Sequence, residues 1–500
     1  MISDGKIWIG STGDNKVYLY PEMANRHGLV AGASGTGKTV TLKVMVESFL
    51  DLGVPVFVAD IKGDVAGLAN EGDSAKIAKR AKEKFGIDDF EFKGYPVCFW
   101  DIYGKKGLPV RTTIQDMGAP LLSRLMDLSD VQSGVLNIIF HIAEDKDIDL
   151  FTIDNLREVI KYITENKDDF TAKYGTMSAQ SLGAIQRSLL ALEDLGGEAF
   201  FGEPELDIMD WIDADEPRVN ILHSVELAHN PTLYGTFLLW MMTRLFEKLP
   251  EEGDLDKPKF VFFFDEAHML FTDAPKALLT KVEQVVKLIR SKGVGIYFIS
   301  QSPSDIPDKV LSQLSNRIQH GLRAYTPAEQ KAVKAAAQAF RANLEFKTEE
   351  AILDLGVGEA LISCLDEEGR PSIVERAFIV PPRSYLGALS DAEYKEIIKE
   401  SPLYKKYRNT SDNSNTDEKI AKMNKAKAKE SAKEEKGTTK KTTTTSKTAS
   451  KTSSTKKSSS TKTAAKKTAS KTAGRAIGSA ASVIGREAGK GLVGLFKKKK

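Results

Sequence analysis

Residues 32–39 read Gly-Ala-Ser-Gly-Thr-Gly-Lys-Thr and stand between an apolar run, His27–Ala31, and an amphipathic segment that continues from Val40. Glycines at this spacing let the backbone curl so that successive N–H groups point at phosphate oxygens, and the start of a following helix favours negative charge. We therefore predict a strand, a phosphate-binding loop and a helix rather than an incidental glycine-rich turn. The predicted ATP ligands are Gly32, Ala33, Ser34, Gly35, Thr36, Gly37, Lys38 and Thr39, with Lys38 on the β- and γ-phosphates and Thr39 on Mg²⁺.

Two adjacent carboxylates follow a second apolar run. Phe260–Phe264 is typical of a buried strand, and Asp265 and Glu266 come directly after it. Beside a phosphate-binding loop, this pattern predicts that Asp265 holds Mg²⁺ and that Glu266 polarises the attacking water. The alternative is a helix N-cap Asp with Glu in the first turn, where carboxylates are favoured in any case.

Two further strand ends supply candidate polar groups. Gln301 follows the apolar run 295–300, and we expect its amide to contact the γ-phosphate and the water as a sensor. Asp60 and Lys62 follow the run Val54–Ala59. They either line the same site or are a strand-end cap and a solvated lysine; the sequence favours neither.

Apolar runs separated by helical or loop segments predict an α/β fold with a mainly parallel sheet and crossover helices. Helical periodicity dominates between about 115 and 215 and indicates an insertion. We expect six segments: a β-hairpin (1–24), the first part of the nucleotide-binding core (25–114), the helical insertion (115–215), the second part of the core (216–408), a Lys/Thr/Ser/Ala-rich tail (409–473) and an apolar-basic end (474–500).

Charge is divided along the chain. Residues 401–500 hold 27 Lys and Arg against 7 Asp and Glu, a net +20, so residues 1–400 carry −18. The tail has almost no large apolar residues, and we expect it to be disordered. Its lysines predict nonspecific binding to nucleic acid, whereas the end segment suits the surface of an anionic membrane.

Two cysteines far apart, Cys98 and Cys364, indicate neither a disulfide framework nor a zinc site. No run is long enough to span a membrane, and the N-terminus lacks the pattern of a secretory signal. We expect a cytoplasmic protein.

Together, Arg26-His27 before the loop strand, GASGTGKT, VADIKGD, FFFDEAH and FISQSP resemble the HerA/FtsK superfamily of P-loop motors, specifically bacterial HerA-helicase-like C-terminal-domain proteins, over about residues 1–382. The resemblance implies a RecA-like core, a ring that is usually a hexamer, and ATP bound between subunits. It assigns residues 32–39 to Walker A, Asp265 and Glu266 to Walker B, and Gln301 to the sensor.

The same resemblance implies an arginine supplied by the neighbouring subunit. Arg290, Arg317 and Arg323 are the candidates, and for each the alternative is an ordinary surface ion pair. HerA itself carries a β-barrel ahead of its motor, whereas only residues 1–26 precede the loop strand here. Functions that rest on that barrel do not follow from the resemblance.

Three functions remain open. The first is a ring-shaped ATPase that moves DNA or acts as a helicase. The second is an ATPase that acts on a protein polymer or serves as a nucleotide-gated switch. The third is a non-enzymatic protein that tethers DNA or membrane through its basic tail, against which the Asp265-Glu266 pair argues.

Overall fold

The computed structural model describes residues 1–13, 15–272 and 276–439, and its centre is one large mixed sheet. The strand order is β1-β2-β13-β12-β11-β4-β10-β9-β5-β8-β6-β7, with β3 paired to β2. The strands are β1 Ile2–Ser3, β2 Lys6–Thr12, β3 Asn15–Leu19, β4 Gly28–Ala31, β5 Val56–Asp60, β6 Val97–Asp101, β7 Leu108–Pro109, β8 Val219–His223, β9 Phe260–Phe264, β10 Val294–Ser300, β11 Asn316–Gln319, β12 Glu359–Ser363 and β13 Glu375–Ile379.

The middle of the sheet is parallel, as the sequence predicts. β5, β9, β10 and β4 are successive neighbours, and every pairing among them is parallel. Side chains of a strand alternate between the two faces. On β9, Phe260, Phe262 and Phe264 pack into one core, and Val261 and Phe263 pack into the core on the other face. Burial on both faces explains why this strand reads as a continuous apolar run.

One edge of the sheet is antiparallel and takes in the N-terminus. β2 and β3 form a hairpin, and β2 also pairs with β13 through Ser11 and Phe378. β13 continues through β12 to β11, which lies parallel to β4. The N-terminal hairpin is therefore part of the same sheet as the phosphate-loop strand.

Helices cover both faces of the sheet. Those before β8 are α1 Lys38–Asp51, α2 Ala75–Phe85, α3 Ile114–Leu125, α4 Asp130–Asp145, α5 Ile153–Glu165, α6 Lys167–Tyr174, α7 Ala179–Asp194 and α8 Gly197–Phe200. Those after it are α9 Pro231–Lys248, α10 His268–Phe271, α11 Lys276–Leu288, α12 Asp308–Leu311, α13 Pro327–Gln338, α14 Thr348–Asp354, α15 Asp391–Glu400, α16 Tyr404–Tyr407 and α17 Thr416–Thr439. No helix within the described ranges has the length and apolar content needed to cross a bilayer.

The start of the tail differs from the sequence prediction. Within the segment expected to be disordered from 409, residues Thr416–Thr439 form helix α17. Two anchors explain this: the hydroxyl of Thr416 donates to the carbonyl of Asp149 at 2.5 Å, and Lys427 pairs with Asp169 at 2.7 Å. Ile420 and Met423 also pack against the core.

Met1–Ala432 forms one compact unit. The remainder of the predicted tail, from 440, and the apolar-basic segment 474–500 lie outside the described residues.

Candidate functional site

The predicted phosphate loop connects β4 to α1. Gly37, immediately before the helix, has a φ of 117°, which favours glycine. The loop is held from two sides, since the N–H of Gly32 donates to the carbonyl of Ser300 at 3.2 Å and that of Ala33 to the carbonyl of Gly321 at 2.9 Å. The ends of β10 and β11 therefore fix the position of the loop.

Lys38 and Thr39 open α1 and contact the loop and its surroundings. The ammonium group of Lys38 donates to the carbonyls of Gly32 at 2.6 Å and Ala33 at 3.1 Å. Burial lowers the pKa of Lys38, and the nearby charge of Lys62 lowers it further. The hydroxyl of Thr39 donates to Oδ2 of Asp64 at 3.2 Å. The predicted Mg²⁺ ligand thus lies beside a carboxylate that the sequence prediction did not include.

The two predicted acids lie at the carboxyl end of β9. Asp265 and Glu266 are both buried, and Glu266 adopts a left-handed backbone with a φ of 47°. Burial raises the pKa of Asp265 to about 6, although Lys62 opposes the shift. Left-handed backbone is uncommon for residues other than glycine, and it turns Glu266 out of the strand direction.

Three side chains surround the carboxylate of Glu266. Nζ of Lys62 lies 2.5 Å from Oε1, the amide of Gln301 donates to Oε2 at 3.3 Å, and Nδ1 of His268 lies 3.2 Å from Oε2. Burial alone would raise the pKa of Glu266, but the ion pair with Lys62 and the bond from Gln301 hold that pKa below its usual value. Glu266 is therefore kept ionised and oriented by residues that follow β5, β9 and β10.

Asp60 and Lys62 have different surroundings. The sequence left open whether they line the site or are a strand-end cap and a solvated lysine. Lys62 contacts Glu266 directly. Asp60 is buried and accepts the N–H groups of Gly63 at 2.7 Å and Val65 at 3.1 Å, which shapes the turn that carries Lys62 and Asp64. Burial raises the pKa of Asp60 to about 7, and the charge of Asp64 adds to that shift.

The three candidate arginines lie in different settings. The guanidinium of Arg317 is half-buried and donates to the carbonyls of Leu314 at 3.1 Å and Leu311 at 3.2 Å in its own chain. Arg323 and Arg290 are exposed, and within the described residues neither side chain makes a hydrogen bond or an ion pair. Arg323 lies two residues after Gly321, whose carbonyl accepts the N–H of Ala33 in the phosphate loop.

The loop fits a phosphate chain. The N–H groups of Gly35, Gly37, Lys38 and Thr39 find no acceptor among the described residues, and Gly37 and the first turn of α1 bring three of them together. In the described part of the chain no three His, Cys, Asp or Glu residues are grouped to hold a metal alone. Mg²⁺ in nucleotide sites is usually bound by one or two protein ligands with phosphates and water, so the two predicted ligands, Thr39 and Asp265, match the usual number.

Sequence reasoning missed Asp64 and His268. Asp64 has one carboxylate oxygen toward Thr39, and its other oxygen is buried without a hydrogen-bond partner in the described structure. The signal was present in Asp-Ile-Lys-Gly-Asp at 60–64, because a glycine between polar residues after a strand indicates a tight turn. His268 follows Glu266 by only two positions in the sequence, and that proximity was the signal that could have identified it.

Comparison with known proteins agrees with this architecture. The plasmid coupling protein TrwB, solved with a non-hydrolysable ATP analogue, superposes with a TM-score of 0.50 and 15% identity, covering 74% of this chain and 88% of that one. At this identity the likeness shows the fold alone, a RecA-like P-loop core.

Two curated relatives match in sequence. A probable helicase of Methanocaldococcus jannaschii is 24% identical over 357 residues, which is 68% of this chain and 60% of the relative. The DNA double-strand break repair helicase HerA of Sulfolobus acidocaldarius is 21% identical over 369 residues, 72% of this chain and 66% of the relative. The chain thus spans somewhat less than two thirds of the length of either. The model of the family described as helicase HerA-like C-terminal matches residues 7–500, and the chain belongs to that family.

Proposed function

We propose that this protein is a Mg²⁺-dependent ATPase that works as a motor on DNA. The observation that carries the proposal is the order β5-β9-β10-β4. These four adjacent strands are parallel, and candidate site residues follow each of them directly. Lys62 and Asp64 follow β5, and Asp265 and Glu266 follow β9. Gln301 follows β10, and the phosphate loop follows β4. Parallel strands present their carboxyl ends at one edge, where ligands of such sheets bind.

Each residue has a distinct task in this proposal. The loop N–H groups and Lys38 bind the phosphates, and Thr39 and Asp265 hold Mg²⁺. When bound, Mg²⁺ neutralises charge on the phosphate oxygens. Glu266 orients the attacking water or accepts a proton from it. Lys62 and Gln301 keep the carboxylate of Glu266 ionised and in place.

DNA is the polymer that the relatives favour. One of them is named as a DNA double-strand break repair helicase, and the other as a probable helicase. The basic tail supplies charge that neutralises phosphates without sequence preference. The acidic body does not resemble a basic DNA-binding domain, so we assign DNA contact to the tail and to a channel formed by assembly.

Assembly into a ring, by family resemblance a hexamer, completes the site. The side chain of Arg323 is exposed, has no partner among the described residues and follows by two positions the residue that binds Ala33 of the phosphate loop, whereas Arg317 is engaged by its own chain. A guanidinium contributed between subunits stabilises charge on the transferring phosphoryl group. Arg323 is therefore our first candidate for the trans-acting arginine and Arg290 the second.

Both cysteines are free and buried. Free thiols are usual in a reducing compartment. We accordingly place the protein in the cytoplasm.

The rate of ATP hydrolysis, measured without polymer and with single- or double-stranded DNA, tests the proposal against its alternatives. A DNA motor hydrolyses ATP faster when DNA is present. Equal rates with and without DNA would instead favour a protein polymer or a nucleotide-gated switch, and no hydrolysis at all would favour a tether.

A further inference from the structure

A buried histidine lies against the phosphate loop. His320 directly follows β11, and it is completely buried. Its backbone N–H donates to the carbonyl of Ala31 at 2.7 Å, so the chain after β11 stays bonded to β4 up to the last residue before the loop. The backbone of His320 therefore lies beside the point from which the loop begins.

Both ring nitrogens of His320 have partners, and the partners belong to different elements. Nδ1 lies 2.9 Å from the carbonyl oxygen of Glu359, the first residue of β12, and Nε2 lies 2.8 Å from the hydroxyl oxygen of Thr41 in α1. A carbonyl oxygen only accepts hydrogen bonds, so Nδ1 carries the proton. Burial lowers the pKa of His320 to about 4, which leaves the ring neutral near neutral pH. Nε2 of a neutral ring is an acceptor, and the hydroxyl of Thr41 donates to it.

His320 also contacts the first and the last glycine of the loop. A Cβ added at Gly32 would lie 2.5 Å from Cβ of His320, which is too close for two carbon atoms that are not bonded. A Cβ added at Gly37 would lie 3.5 Å from Cε1 of the ring, an ordinary van der Waals contact. The histidine therefore supports the loop backbone at both ends.

The two elements that His320 joins bind the loop backbone themselves. The N–H of Thr41 in α1 donates to the carbonyl of Gly37 at 3.1 Å. The N–H of Gly358, the residue before β12, donates to the carbonyl of Thr36 at 3.1 Å. The ring of His320 thus connects two structures that hold the loop from opposite sides.

We propose that His320 is a positioning residue for phosphate binding: its ring joins α1 to β12 against the loop and fixes the curvature that points the loop N–H groups at phosphate oxygens. Such donors bind best when they are oriented before the ligand arrives, because ordering them on binding costs affinity. The proposal rests on ATP binding at the loop, as in the proposed function. It does not depend on hydrolysis or on DNA.

The affinities of the full chain for Mg·ATP and Mg·ADP, measured by calorimetry, test this role. His320→Ala should weaken both affinities about tenfold, the scale of a buried donor and a buried acceptor left unpaired. It should also raise KM for ATP more than it lowers kcat, because binding shared by the ground state and the transition state is lost. An ordinary core histidine would change stability without this effect on KM.

Thr41 provides a second and milder pair of variants. Thr41→Val removes the hydroxyl that donates to Nε2 and keeps the shape of the side chain, so the affinity for ATP should fall about threefold or more. Thr41→Ser restores the hydroxyl and should recover most of that loss. This pair decides the question if His320→Ala does not fold.

His27→Ala is the matched control. His27 is also buried and bonded through both ring nitrogens, but its partners are Val286 and Ile296 rather than the loop or α1. We expect His27→Ala to lower the Tm and to keep the affinity for ATP within about twofold of wild type.

Two results would overturn the proposal. One is a folded His320→Ala whose affinity for ATP falls by less than about threefold or by no more than that of His27→Ala. The other is an equal affinity in Thr41→Val and Thr41→Ser. A wild-type chain that binds no ATP would contradict the proposed function itself, and this proposal with it.

Discussion

Nζ of Lys62 lies 2.5 Å from Oε1 of Glu266, which joins a lysine that follows β5 to the carboxylate that follows β9. The glutamate is buried and has a left-handed backbone, so its orientation depends on such contacts. The ion pair also opposes the effect of burial on the pKa of Glu266. We therefore propose that Lys62 acts on catalysis through Glu266, as a positioning residue.

Replacing Lys62 tests this role. Lys62→Met should lower kcat about tenfold or more, the worth of a hydrogen bond to a charged group, with a smaller change in KM for ATP. It should also move the acidic limb of the pH–rate profile upward, because the pKa of Glu266 rises when the cation is lost. Lys105→Met is the matched control, since Lys105 forms an exposed ion pair with Glu226 at 2.5 Å and has no contact with Glu266. A pH–rate profile identical to wild type in Lys62→Met would remove Lys62 from this role.

The arginines should separate into structural and catalytic types. Arg317→Ala should lower the Tm, because two carbonyl acceptors lose their donor, whereas Arg323→Ala should leave the Tm unchanged and reduce ATP turnover. Mixing Arg323→Ala with Lys38→Ala should restore part of the activity at mixed interfaces if the arginine acts in trans. A fully active monomer in light scattering at micromolar concentration with Mg·ATP would contradict the ring.

Acid should destabilise the fold through His27. Its Nδ1 accepts the N–H of Ile296 at 3.0 Å, Nε2 lies 2.8 Å from the carbonyl of Val286, and burial lowers its pKa to about 4. Unfolded chains bind the proton near pH 6.5 and folded ones do not, so stability falls as pH decreases from about 6.5 to about 4, by at most about 1.4 kcal/mol per pH unit. Urea unfolding at pH 7 and pH 5 should show a smaller loss in His27→Asn than in wild type. His141→Asn, at an exposed position, should behave like wild type.

The tail should bind DNA without being needed for hydrolysis. Residues 440–500 hold 17 Lys and Arg against 1 Asp and Glu. A chain ending at 439 keeps α17 and its anchors at Asp149 and Asp169, so it should fold and retain basal turnover. It should lose most DNA affinity at low salt, with a shallower salt dependence. Titrations at two salt concentrations measure this, and co-sedimentation with anionic vesicles tests the membrane alternative; unchanged binding in both would show that the tail makes neither contact.

Much of the site followed from local sequence. The spacing of the glycines, with a strand before them and a helix after them, was sufficient to place Lys38 and Thr39. A strand followed by Asp265 and Glu266 indicated the Mg²⁺ side of the same site, because a phosphate loop occurs in the same chain. Parallel strands align their ends, so an approach of Gln301 to Glu266 was also foreseeable.

Other contacts depend on geometry that no local pattern encodes. Whether Lys62 points into solvent or at Glu266 is decided by the turn that Asp60 builds from the N–H groups of Gly63 and Val65. The composition of the tail predicted disorder, yet two polar anchors and the packing of Ile420 and Met423 order its first part as α17.

The most direct test measures ATP binding and Mg²⁺-dependent ATP hydrolysis in wild type and in Glu266→Gln. Both measurements use the same preparation of each protein. Glutamine keeps the shape of the side chain and loses its charge. We predict that Glu266→Gln binds ATP nearly as well as wild type and hydrolyses it more slowly by about 10²-fold or more, the scale of positioned acid–base catalysis. Turnover in Glu266→Gln close to that of wild type would contradict it.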